Sequence, residues 1–232
     1  MVADTGASYD LSGDLMDKYS RATWRIIPAS TPPIIRRCSK CNRKIEYNCS
    51  EKFRVNANQA RVDIWLIYKC SKCDSTWKLT IEKGIRPRDV PAALFEQFIN
   101  NDKSLAWQYA FDRHFLKQNA CMVDYASVDY SVEGSDTVVM SENHPEAARF
   151  FASRQGSAND AGKVSPLLVR LECPYVFELK LSALLAKALC ISVGQVRKLV
   201  ESGAISAGPD IDIMKYRIKS NLEIFIHGPL VL

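Results

Sequence analysis

The sequence predicts an α+β chain: a small antiparallel β unit, a helical middle segment and a C-terminal helix–helix–hairpin module. Three observations carry this reading. Between Lys44 and Glu82 the runs KIEY, KFRVNA, RVDIWLIYKC and TWKLTIE are rich in β-branched and aromatic residues, with polar turn residues such as Asn56 and Asn58 between them. After residue 88 the period changes, and Leu94, Phe95, Phe98 and Ile99 fall on one helical face. Near the end, Leu181, Leu184, Leu185, Ala188 and Leu189 make a second such face.

Taken in order, residues 1–22 are polar and acidic with little periodicity, which predicts a flexible arm. Pro32 and Pro33 force an extended entry into the β-favouring stretch. Residues 23–88 are expected to form the β domain. Residues 89–165 are read as a helix pair broken at Asn100-Asn101-Asp102, then short strands within 122–140, then a linker over the Gly/Ser/Asn-rich stretch 153–165. The second helix of the pair carries Leu105, Tyr109 and Phe115, less cleanly spaced. Residues 166–232 are the C-terminal module. Ser192 and Gln195 fit a capping box, Val196, Leu199 and Val200 face inward, and Gly203 is placed to close the helix in a left-handed conformation.

Composition narrows the function classes. The chain has 232 residues, 47% of them apolar, enough for a buried core. No apolar run approaches the roughly 18–20 residues that span a bilayer. The N-terminal stretch lacks a basic start followed by an apolar segment, so a cytoplasmic protein without membrane partners is expected. Charge is uneven. Residues 34–88 hold 14 Lys and Arg against 5 Asp and Glu, while residues 89–170 hold 7 against 11. A basic block of this kind suits a phosphate-bearing partner.

That block contains a duplicated motif. Cys-Ser-Lys-Cys occurs at residues 38–41 and again at 70–73. A C-x2-C turn sets two sulfurs on one side, and two such turns supply a tetrahedral set at about 2.3 Å, which suits structural Zn²⁺. Cys38, Cys41, Cys70 and Cys73 are therefore the expected metal ligands, and residues 23–88 read as a zinc-ribbon-like domain. Lys40, Lys44, Lys69 and Lys72 would offset the charge of four thiolates. Iron centres use the same ligands, and C-x2-C also serves disulfide oxidoreductases. Of the other cysteines, Cys49 and Cys190 are expected in the core.

No catalytic constellation emerges. His114, His144 and His227 are isolated, and phosphate-binding, dinucleotide-binding and nucleophile-elbow motifs are missing. Asp63 is expected to pair with Arg61 or Arg54 across strands. Strand alternation sends Trp65 and Tyr68 to opposite faces, and Trp77 is expected in the core.

Two resemblances add to this. LKLSALLAKALCISVGQVRKLVESGAI is similar to the small RNA-binding module of ribosomal small-subunit protein S-four, with Lys180, Ser192, Arg197, Leu199, Val200, Gly203 and Ile205 at matching places. Val193 and the SAGPD stretch depart from that pattern. The resemblance implies phosphate contacts at Arg197 and Lys198, with Lys180 and Lys187 weaker. From about residue 24 to the end, PPIIRRCSKC, KFRVNANQARVDIWLIYKCSKCDSTWKLTI, FINND and FELKLSALLAKAL resemble the bacterial domain-of-unknown-function family ten-sixty-two, which implies no known activity. The combined expectation is a zinc-binding, non-enzymatic protein associated with RNA or the ribosome, with Arg36, Arg37, Lys40 and Lys44 as further nucleic-acid contacts. The alternatives are a DNA-associated regulator and a protein-interaction adaptor in which zinc is purely structural.

Overall fold

A computed structural model of the chain describes residues 19–58, 60–134 and 166–227. Most of the expected arm (residues 1–18) and the expected linker at 153–165 lie outside the described residues. Two compact units emerge. One comprises residues 27–131 and 175–178; the other holds the remainder.

The first of these carries the duplicated cysteines. Strands β2 (Ile34–Cys38), β3 (Arg43–Asn58), β4 (Arg61–Cys70), β5 (Thr76–Ile85) and β6 (Met122–Val123) pair antiparallel in the order β5-β4-β3-β2-β6. Alternation is clean along β4: Val62, Ile64, Leu66, Tyr68 and Cys70 are buried, while Arg61 and Lys69 are exposed. Three short helices, α1 (Ala92–Ile99), α2 (Lys103–Phe111) and α3 (Arg113–Gln118), add Phe98, Leu105, Ala106, Ala110 and Leu116 to the same core. Asp102 and Asp112 cap α2 and α3 by accepting from the Leu105 and Phe115 N–H groups.

A bulge between Cys49 and Phe53 ties helices to sheet. Glu51 there adopts φ 57°, and its carboxylate accepts from Trp107 Nε1 at 2.6 Å. The Phe53 N–H, released from the ladder, donates to Asn101 Oδ1 at 2.7 Å. The FINND stretch thus satisfies a backbone donor that the bulge would otherwise leave open.

In the second unit, β1 (Ser20–Pro28), β7 (Tyr130–Glu133), β8 (Leu167–Glu172), β9 (Ile205–Ala207) and β10 (Leu222–Ile226) form a sheet in the order β7-β1-β8-β10-β9. β1 and β8 pair in parallel, with Trp24 opposite Leu171. Helices α4 (Leu181–Ala188) and α5 (Val193–Glu201) bury Leu181, Leu184, Leu185, Val196 and Leu199. The capping box at Ser192 and Gln195 is present, and Gly203 takes φ 74°.

This architecture corrects the expected fold class. The molecule is built on two five-stranded sheets with short helices, not on a small ribbon, a helical segment and a separate helix–helix–hairpin module. β9 and β10 do pair, but β10 also bonds β8, and β8 bonds β1 near the other end of the chain. The last strands are thus the edge of a sheet that residues 166–232 do not complete. Among the described residues, three helices stand where a pair is expected, and they complete the core over β3 and β4. Periodicity reveals the elements but not their partners across a long separation, which is why the modules looked independent. Two side chains also depart from expectation. Ile99 is 53% exposed, since α1 ends there, and Cys190 is exposed at φ 55° just past α4.

Candidate metal centre

The two C-x2-C turns close β2 onto β3 and β4 onto β5. Cys38 and Cys70 are the last residues of β2 and β4, so each turn starts where its strand ends. The residue after each second cysteine, Asn42 or Asp74, has φ 53° or 57°. Asn and Asp are the side-chain-bearing residues that tolerate this left-handed conformation best. The residue before each first cysteine reaches across to it: Arg37 Nη2 donates to Asn42 Oδ1 at 2.6 Å, and Lys69 Nζ donates to Asp74 Oδ2 at 2.8 Å. The duplication in sequence is thus a duplication in geometry.

The four sulfurs converge. Cys38, Cys41, Cys70 and Cys73 place their Sγ atoms within 4.8 Å of one another. Cys38 Sγ is 3.5 Å from Cys73 Sγ, and Cys41 Sγ is 3.9 Å from Cys70 Sγ. A tetrahedron with metal–sulfur bonds of about 2.3 Å has edges of about 3.8 Å. The observed pairs bracket that value and are far from a disulfide bond length. The donor set therefore fits a metal ion bound by four thiolates. Cys49, a conceivable spare ligand, is not in the cluster.

The surroundings favour negative sulfur. Ser75 Oγ lies 3.3 Å from Cys38 Sγ and 3.2 Å from Cys73 Sγ, with the Tyr47 hydroxyl 3.4 Å behind it. The Cys41 N–H donates to Cys38 Sγ at 3.4 Å. Hydrogen bonds from Ser75 first, then Tyr47 and the Cys41 N–H, bring the Cys38 thiol down to about 5. Ser75 lowers Cys73 as well. Cys41 is instead pushed up to about 12, chiefly through its hydrogen bond to Cys73. Metal ligation requires all four deprotonated, so a dication replaces the protons the sulfurs otherwise share.

The expected nucleic-acid contacts divide. Arg37, Lys40 and Lys44 are exposed beside the first turn. Arg36 is half-buried, with its guanidinium 4.0 Å from the Trp77 ring centroid and 5.5 Å from that of Tyr47. Burial lowers its pKa from the ordinary value, and its Nη1 has no hydrogen-bond partner among the described residues. It stacks on these two rings and is less exposed than Arg37. Lys180, Lys187, Arg197 and Lys198 are exposed in the other unit. Asp63 bonds neither expected arginine; its Oδ1 accepts from the Gly84 N–H at 2.7 Å, while Arg61 donates to the Gly84 carbonyl. Ser75 and Tyr47 were not singled out from sequence, although Ser75, two residues past a ligand, was within reach of a second-sphere argument.

The pattern of the family described as "Protein of unknown function (DUF1062)" matches residues 55–210. The chain belongs to the DUF1062 family. The match takes in Cys70 and Cys73 and begins after Cys38 and Cys41. It supports the family resemblance and lends nothing to the zinc-ribbon or S-four resemblances. No curated protein and no solved structure matches the chain. Among the described residues, no helix is long and apolar enough to cross a membrane.

Proposed function

We propose that this DUF1062 protein binds structural Zn²⁺ and associates with RNA, alone or on the ribosome, without catalysing a reaction. The observation that carries it is the four-sulfur cluster set in the basic part of the chain. Four thiolates close a tetrahedral shell and leave no position for substrate, so the metal serves the fold. Arg37, Lys40 and Lys44 stand exposed at the same end of the sheet, where they can track a phosphate backbone. Elemental analysis of the purified protein is expected to give about one zinc per chain. Iron in its place would keep the ligands and replace the metal.

The association is tested by fluorescence anisotropy with structured RNA between about 50 and 200 mM salt. A steep loss of affinity with salt is expected. Replacing Arg37, Lys40 and Lys44 by Ala should weaken binding while zinc content stays unchanged, with the salt slope reduced by about one for each phosphate no longer neutralised. Tighter binding to duplex DNA would favour a DNA-associated regulator. No binding to either at the lowest salt would leave a protein-interaction adaptor.

A further inference from the structure

Strand register assigns a second, chemically distinct surface to the metal-bearing unit. One face of its sheet is covered by α1–α3. On the other, cross-strand partners share a side, so the ladder fixes which residues meet. Arg54, Trp65 and Thr80 form one row, Ile67 and Lys78 the next, and Asn48, Lys69 and Thr76 a third. Arg37 and Lys44 extend the same face toward the first cysteine turn. Its carboxylates are sparse: Glu46 pairs with Ile35, Asp63 is engaged by the Gly84 backbone, and Asp74 is taken up by Lys69 at 2.8 Å.

The rings sort by face. Tyr68 is fully buried, and Trp77 packs against the core under Arg36. Trp65 alone of these three points away from the core. It is half-buried, flanked by Arg54 on β3, and Lys78 Nζ stands 4.8 Å from its ring centroid. An indole on an open sheet face within a field of cations has two complementary partners in one molecule: a base for the ring and a phosphate for the ammonium groups. Duplex nucleic acid offers only the second, because its bases are already stacked.

We propose that this face is a platform for single-stranded nucleic acid, with Trp65 stacking on a base and Lys78 and Arg54 following the backbone. The proposal rests on the RNA-association reading above and narrows it to unpaired strands. Lys78, held over the ring by charge alone, swings out to a phosphate when a base takes its place.

The test uses the full chain with its metal and four labelled 20-nucleotide probes of one sequence: single-stranded RNA, single-stranded DNA and the two corresponding duplexes. Single strands are expected to bind more tightly than duplexes. Trp65→Leu should weaken single-strand binding about tenfold or more while leaving the salt slope and duplex binding unchanged. Trp65→Phe, which keeps a ring, should retain most of the affinity, and circular dichroism with zinc content establishes that both variants fold. A preference for RNA over DNA supports the proposal together with the RNA reading. A preference for DNA supports the platform and overturns RNA as its ligand. Equal single-strand affinity of wild type and Trp65→Leu, or duplexes bound as tightly as single strands, overturns the platform and leaves the basic-surface reading standing. No binding to any probe overturns both.

Discussion

The two sheets have the same number of strands but are joined by different means. In the four-cysteine unit, β2, β3, β4 and β5 are neighbours in space and successive in the chain, and all pair antiparallel. Each connection is a short turn, and two of those turns carry the four sulfurs. In the other unit the central pairing is the parallel one between β1 and β8, which residues 29–166 separate. No four-sulfur site pins that sheet among the described residues. It relies on apolar burial: Trp24, Val169, Leu171, Leu184 and Ile224 are fully inaccessible to solvent. The first sheet is thus local and has four cysteines converging at its turns, the second long-range and held by its core. Long-range pairing closes a large loop, whose entropy grows slowly with length but slows folding.

The largest expected effect breaks the first side of this comparison. Replacing Cys38 and Cys73 together by Ser should abolish metal binding and unfold the antiparallel sheet, because apparent binding free energies of about 10–16 kcal/mol for structural zinc in small peptides are also folding free energies. The signature is selective: hydrogen exchange should rise throughout β2–β5 while amides of β8 and β10 stay protected. Full zinc retention by the double variant would remove the cluster from its role as ligand set.

A smaller effect addresses the second sheet. Trp24→Ala empties a fully buried site at the parallel pairing and should lower that unit's stability by about 3–5 kcal/mol. Thermal unfolding followed with zinc release should show one transition moving and the metal-linked one holding. Concerted movement would mean that the two units melt as one. The smallest effect sharpens the picture further. Ser192→Ala removes half of the α5 capping box and should destabilise the same unit by about 1 kcal/mol. A urea titration monitored by helical circular dichroism would register it as a lower midpoint at unchanged slope.

Legibility from sequence follows the same division. The metal cluster could be read because chemistry that needs four thiols writes them in the chain as a visible repeat, and the capping box and Gly203 because local backbone geometry selects local residue types. The pairing of β1 with β8 could not be read. ATWRII and LLVRLE are each an apolar run, and nothing in either names its partner. The fold class failed there, since the apparent C-terminal hairpin is an edge completed by strands from elsewhere. Within the four-cysteine unit, alternation from the neighbouring exposed Arg37 turns Arg36 toward Trp77 and Tyr47, a placement that its position in a basic run does not reveal.

The convergence of the four sulfurs also acts as a parity check on the whole sheet. Side chains on a strand are even or odd, and a slip of one position exchanges the two sets. The bulge between Cys49 and Phe53 respects this rule: it lengthens β3 yet leaves Cys49 and Phe53 on the same side. With Cys38 and Cys70 at strand ends, the observed register brings all four thiols to a point. A slipped sheet would separate the sulfurs and at the same time turn Tyr68 outward and Trp65 into the core. Convergence of the sulfurs and the outward placement of Trp65 therefore depend on the same register, several residues apart along β4.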